Sequence, residues 1–293
     1  MEKPIFCMAG GDLRFGYLAS YLSAQGYEIL ALGLETCPEL PETAQLCTME
    51  ELSRADVVIL PVPCCTKDGR LKAPFSAQSY ILTEIVGAMQ EGTLLIGGKI
   101  PEEAVDAARL RAISVCDYAE REDFAVRNAA LTAEAAVALA MEIAAESLSG
   151  MKILVLGHGR IGRLLASMLK ALDAEVTVAA RRFSDLAWIR SEGMRPLEFS
   201  RIDQELGTFR LVFNTVPALI LEKEKLMLMR KDAAIIDLAS EPGGTDFAAA
   251  AELHIHAEKA LGLPGKFAPK TAGEILADTV QNILKEREDA LEG

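Results

Sequence analysis

The chain has 293 residues, 51% hydrophobic and 25% charged, with a formal net charge of −13, a composition that fits an ordered globular protein of about two domains and excludes a disordered or low-complexity one. Its negative field, with no run of lysine or arginine, excludes nucleic acid as an expected partner. The N-terminal "MEKPIFCMAGGDLR" meets glycine and aspartate too soon for a signal peptide, and the apolar stretch 132–148 is interrupted by Glu134, Glu142 and Glu146, so a cytoplasmic protein without a membrane partner is expected.

In chain order, strand-like runs alternate with helical patterns: "PIFCMA" and a helix over 14–25, "YEILAL", "DVVILPV" and 78–89, "TLLIG" and 102–110, then "RAISV". One long helix is expected over 119–148, and "SLSGMK" then leads into a second series. That series is "MKILVLG", 161–172, "AEVTVAA", 184–192, 201–206, "LVFNTV", 222–229, "AAIIDLA", 246–252 and a short, buried strand near "LHIHA". A last helix over 271–290 is expected to fold back on the first half.

The fold class is therefore α/β, with two doubly wound parallel-sheet, Rossmann-like domains and a cleft between them. A substrate domain is expected over 1–148, carrying the C-terminal helix 272–293, and a nucleotide domain over 149–271. Hinges are expected at Ser149 and Gly150 and over 270–273.

Both halves have a glycine turn after their first strand. In "GHGRIG", Gly157, His158, Gly159, Arg160, Ile161 and Gly162 fit the dinucleotide fingerprint between a buried strand and an apolar helix. The helix N-terminus there favours a pyrophosphate. The other turn, "AGGDLR", lacks that spacing and places Asp12 where a phosphate would sit. A carboxylate repels phosphate, so the first turn is expected to serve a substrate. The second strand of the nucleotide domain ends "TVAARRF", where Arg181 and Arg182 replace the acidic residue expected of an NAD site; their guanidinium groups suit a 2′-phosphate, and the expected cofactor is NADP.

Later loops add detail. "FNTVP" places Asn214, Thr215, Val216 and Pro217 at a strand end facing the cofactor, and "IDLASEPGGTDF" places Leu238, Ala239 and Ser240 at another. With "LGLPGKFAPKTAGEILAD", with Gly11, Asp12 and Arg14, and with Asn128, Thr132 and Glu134 of "NAALTAE", these loops resemble the dipicolinate synthase A-subunit family over nearly the whole chain. One departure is Ala135, where the family pattern has glycine after the matched glutamate. The resemblance implies an NADP-binding, sporulation-linked enzyme that oxidises a dihydro- or hydroxy-tetrahydro-dipicolinate of the lysine pathway to dipicolinate. It implies a flavoprotein-like partner, the B subunit of the synthase, and a homo-oligomer is expected.

The chain has three histidines, and none comes from the first domain to act as base on a hydroxyl. Loss of hydride and proton from a dihydropyridine is driven by aromaticity and needs chiefly orientation of the ring and its carboxylates. Glu134 is the candidate proton acceptor, with helix capping by Thr132 and Glu134 as the other reading. Gly11, Asp12, Arg14, Asn128 and Thr132 are the candidate substrate-binding residues, Asp12 either holding Arg14 or bonding a ring nitrogen; Arg127, Lys99 and Lys270 are weaker candidates for a carboxylate. The six cysteines, Cys7, Cys37, Cys47, Cys64, Cys65 and Cys116, lack CxxC spacing and histidine neighbours and are expected as reduced, mostly buried thiols with no metal. An NADP-dependent amino-acid or hydroxy-acid dehydrogenase and a non-catalytic NADP-sensing protein remain as alternatives.

Overall fold

The structure, a computed structural model, describes residues 3–292. Contacts divide it into two compact units, one running to Asn128 and resuming at Gly265, the other Ala129–Pro264. The sequence pattern divides the chain at 148/149 and 271/272, whereas here the first division falls inside a continuous helix.

The first unit holds β1 (Phe6–Ala9), α1 (Leu13–Ala24), β2 (Ile29–Leu32), β3 (Gln45–Leu46), β4 (Val57–Ile59), α2 (Leu82–Ala88), β5 (Leu94–Gly97), α3 (Glu102–Leu110), β6 (Ser114–Asp117) and the start of α4 (Glu122–Ala144). The strands pair in parallel in the order β3-β2-β1-β4-β5-β6. The central strands are short apolar runs because both faces of a parallel sheet are covered; Phe6, Leu30, Val58 and Leu95 are buried. Each such side chain contributes about 1.5–3 kcal/mol by leaving water.

The second unit holds the rest of α4, then β7 (Lys152–Leu156), α5 (Arg160–Ala171), β8 (Glu175–Ala180), α6 (Phe183–Ser191), β9 (Arg195–Glu198), β10 (Leu211–Asn214), α7 (Lys223–Leu226), β11 (Ala234–Asp237), α8 (Phe247–Glu252) and β12 (His256–Lys259). Its strands run in the order β12-β11-β10-β7-β8-β9, the same winding as the first sheet. Ala133, Ala136 and Ala140 of α4 join Val155, Leu165, Val178 and Phe213 over one face. Leu156, Ile202, Phe209, Val212 and Ile235 fill the other.

The chain then returns through α9 (Leu263–Phe267) and α10 (Pro269–Glu292) to the first unit. Helix α10 lies along α1 at backbone range: a Cβ on Gly273 would stand 2.7 Å from the Arg14 carbonyl oxygen and 2.8 Å from Tyr17 Cβ. Ion pairs from Arg127 to Asp278, 2.8 Å, and from Arg121 to Glu286, 2.7 Å, fasten it further.

Several expectations are corrected. Residues 270–273 form the first turn of α10, packed on α1, so they are helix and not a hinge. The long helix ends at Ala144 because Ala145 turns into the left-handed region at φ 51. The segment 201–206 falls across two 3₁₀ turns, Phe199–Gln204 and Leu206–Thr208, and 222–229 shrinks to the single turn of α7. The last strand is an edge strand on which His256 is exposed, as is His254 before it, so neither histidine is a core residue. By length and composition α4 could cross a membrane, but more than half of its apolar window is buried in the protein.

Candidate functional site

In the second unit, four adjacent strands bring the sequence-marked residues to one edge. Their order is β11-β10-β7-β8, and the winding reverses between β10 and β7, the switch point at which open α/β sheets bind ligands. The turn 157–162 follows β7, Arg181 and Arg182 follow β8, Asn214 to Pro217 end β10, and Leu238 to Ser240 follow β11.

The fingerprint glycines have separate physical reasons. Gly157 has φ 99, and a Cβ there would stand 2.5 Å from Thr215 Oγ1. A Cβ on Gly162 would collide with the Gly157 carbonyl oxygen, so only glycine lets α5 start this close to β7. Gly159 meets nothing within 4 Å; the space beside the first turn of α5 is open. Among the described residues, no backbone acceptor takes the N–H groups of His158 and Gly159, as expected of a helix start awaiting an anion. These residues fit a dinucleotide pyrophosphate.

His158 contributes differently from its neighbours. Its side chain is 3% exposed, with Nε2 lacking a hydrogen bond and 3.6 Å from Glu192 Oε2. Glu192 in turn accepts from Arg163 Nε at 2.9 Å. The imidazole is thus turned into the protein, and the group His158 offers a ligand is its backbone N–H. Arg160, Arg181 and Arg182 are exposed, Arg182 standing 3.9 Å from Asp185, while Ile161 packs against the core.

Asn214 and Thr215 are engaged within the protein. Asn214 is fully buried; its Nδ2 donates to Asp237 Oδ1 at 2.9 Å and to the Val216 carbonyl at 3.1 Å, and its Oδ1 accepts from Val216 N. Thr215 Oγ1 donates to the Leu156 carbonyl at 2.8 Å. Asp237, which no sequence motif singled out, is 1% exposed and also accepts from Ala239 N and Gly244 N, both at 3.0 Å. It ties the loops after β10 and β11 together, so these residues shape the edge from beneath. A cavity of about 550 Å³ at the opposite, amino edge, bordered by Lys152, Thr177 and Arg195, contains none of them.

The first unit's glycine turn is filled by its own chain. Gly11, at φ 107, donates its N–H to the Lys72 carbonyl at 2.8 Å, and the hairpin carrying Lys72 covers the turn. Asp12 caps α1 by accepting from Arg14 N at 3.2 Å. The same carboxylate grips the Arg14 guanidinium with two bonds of 2.8 Å, from Nε and Nη2. Arg14 is 6% exposed. Burial works against its charge, but the hydrogen bond and charge of Asp12 outweigh that and raise its pKa. Asp12 therefore does hold Arg14, and its side chain keeps 38% exposure. Tyr118 lies beside this pair, fully buried, donating to the Leu60 carbonyl at 3.0 Å; burial pushes its pKa up.

Thr132 and Glu134 lie in the middle of α4, so the capping reading is wrong; Thr132 is buried and Glu134 exposed. Asn128 is half-buried on the same helix. Arg127 is used by Asp278, and Lys270 lies in α10 rather than in a turn. Cys64 is buried with its pKa raised by burial, which leaves its thiol inert.

The chain is similar to known proteins in sequence and fold. The family described as the N-terminal domain of the dipicolinate synthase A subunit matches residues 6–119, and the D-isomer specific 2-hydroxyacid dehydrogenase NAD binding domain matches 111–242. The dipicolinate synthase A subunit of Bacillus subtilis is 32% identical over 280 residues, 94% of each chain. The crystal structure of the dipicolinate synthase A chain from Bacillus subtilis has a TM-score of 0.87 at 31% identity, covering 99% of both chains. The corresponding crystal structure from Bacillus halodurans has a TM-score of 0.88 at 31% identity, covering 96% of this chain and 97% of that one.

Proposed function

The chain belongs to the dipicolinate synthase A-subunit family, with a dehydrogenase-like NAD-binding domain, and from that premise we propose that it oxidises a dihydrodipicolinate to dipicolinate with NADP. The observation that carries the reading is the pair of unlike glycine turns: one open at the switch point of a nucleotide-binding sheet, one closed and followed by a buried Arg14 that the part-exposed Asp12 holds.

The oxidation removes a hydride from a ring carbon and a proton from the ring, leaving the aromatic pyridine; a hydroxylated tetrahydro precursor first loses water. The nicotinamide cofactor, when bound, accepts the hydride. The backbone N–H groups of His158 and Gly159 hold its pyrophosphate, and Arg181 and Arg182 select a 2′-phosphate. In the first unit, Arg14 orients a substrate carboxylate while the exposed edge of Asp12 accepts from the ring N–H. Glu134, exposed and without an ion pair among the described residues, takes the released proton, and Asn128 and Thr132 lie within two turns of it on α4. The work is done in the cytoplasm during spore formation, beside a second, flavoprotein-like partner.

The test is NADPH formation, followed by absorbance, from the cyclic lysine-pathway intermediate by the purified chain alone and with its partner protein. Turnover with NADP by either preparation supports the reading. Cofactor binding without turnover in both preparations replaces it with that of a nucleotide sensor.

A further inference from the structure

Lys99 is the one charged residue among the described side chains that holds a left-handed backbone at the carboxyl edge of the first sheet, with φ 56 just beyond β5. A lysine in that region is strained, and glycine or asparagine would be the relaxed choice. The strain is enforced from both sides. Ile100 N donates to Asp117 Oδ2 at 3.0 Å, Asp117 Oδ1 accepts from Ala119 N at 2.8 Å, and Cys64 N donates to the Gly98 carbonyl at 2.9 Å. Gly98 leaves no room to shift, since a Cβ there would press on Tyr118 and Val62. The Lys99 side chain is exposed and makes no hydrogen bond or ion pair among the described residues. Strain that the surroundings enforce from both sides directs attention to this position as a site of function.

Arg14 lies in the first turn of α1, which follows β1 at the same edge, and only β4 separates β1 from β5. Two strand spacings of about 4.8 Å put the carboxyl ends of β1 and β5 about 10 Å apart. A ring bearing carboxylates on both sides of its nitrogen has outer oxygens about 7 Å apart, and a charge-assisted hydrogen bond adds about 2.8 Å at each end. The spans match. Asp12 also neutralises Arg14, so a dianion entering this edge requires a cation that is not already spent.

We propose that Lys99 binds the second carboxylate of a planar ring dicarboxylate, Arg14 holding the first. This rests on the dicarboxylate reading above and adds the residue that distinguishes two carboxylates from one.

The full-length chain is titrated by calorimetry, in metal-free buffer, with pyridine-2,6-dicarboxylate and with pyridine-2-carboxylate. Lys99→Gly is expected to keep or raise the melting temperature, because it relieves the strain, yet to weaken the dicarboxylate about tenfold or more while the monocarboxylate changes less than about twofold. Lys99→Arg restores dicarboxylate affinity. Lys72→Ala, on the hairpin nearby, leaves the ratio of the two ligands unchanged. Equal dicarboxylate affinity in Lys99→Gly and the parent, or transfer of the loss to Lys72→Ala, overturns the assignment and leaves the proposed reaction standing. If the parent itself binds no pyridine-2,6-dicarboxylate, the underlying reading falls and this one with it.

Discussion

The two units share one winding, yet their first turns are built for opposite purposes. After β7, the N–H groups of His158 and Gly159 meet no backbone acceptor among the described residues, and nothing stands within 4 Å of a Cβ placed on Gly159. After β1, it fills the same topological place with a carbonyl from Lys72 and a carboxylate from Asp12. A Rossmann turn is therefore an anion site only when its donors are left free. Once they are satisfied internally, the same turn becomes a rigid seat for a side chain such as Arg14.

The strongest way to break this comparison is Arg14→Ala. Truncating one arm of a buried charge pair costs about 2–5 kcal/mol, so dipicolinate formation should fall at least about thirtyfold. NADP affinity should stay within about twofold, because the cofactor residues lie in the other unit. Arg14→Lys keeps the buried charge and separates this loss from misfolding. Equal loss of nucleotide binding would show that the turns do not divide the work.

A second contrast sharpens the nucleotide turn itself. Gly162→Ala drives a Cβ into the Gly157 carbonyl, and overpacking of this kind costs about 1–3 kcal/mol. Gly159→Ala meets open space, so it should leave the melting temperature unchanged while weakening NADP about tenfold. Thermal melts with and without nucleotide distinguish the two; a stability loss in Gly159→Ala would mean that its space is not a ligand's.

Arg181→Asp should weaken NADP by more than about tenfold, or about 1.4 kcal/mol, while NAD changes little or improves. Parallel losses for both cofactors would place the discrimination elsewhere.

The smallest effect concerns acid. Arg121 holds the carboxyls of Asp123 and Glu286 below their ordinary values, chiefly by hydrogen bonding. Groups lowered in the folded state stabilise it above their unfolded pKa of about 4, and that help is lost as pH falls through the folded values. Hydrogen exchange in α10 should therefore rise below about pH 4, and Arg121→Gln should flatten that rise.

Much of this was legible in the sequence, because glycine spacing and apolar runs report local constraints. The turn 157–162, both sheets and the terminal helix follow from such patterns. Two strands do not. The β3 segment is two exposed residues, Gln45–Leu46, and β9 reads "RPLE"; edge strands need no apolar face, so periodicity is silent about them. The dual use of Asp12 as helix cap and guanidinium holder was only half visible, since capping residues and ligand-holding residues look alike. Asp237 was missed because its three donors come from sites spread over 30 residues of loop and strand. The sequence offers Lys99 only as a weaker candidate for a carboxylate, because its left-handed backbone is a tertiary property, fixed by Asp117 and the segment around Cys64.

Helix α10 places a constraint on how the molecule is made. The second unit is one uninterrupted stretch, Ala129–Pro264, while the first is completed only by residues from Gly265 onward. Chains leave the ribosome from the N-terminus, and domains fold as units. The flank of α1 that Gly273 covers therefore stays bare until the residues from Gly265 onward have been made. The nucleotide unit is free to close while its elder neighbour waits, so a chain that stops early would release a finished cofactor module beside a first unit whose apolar flank is open to chaperones and proteases.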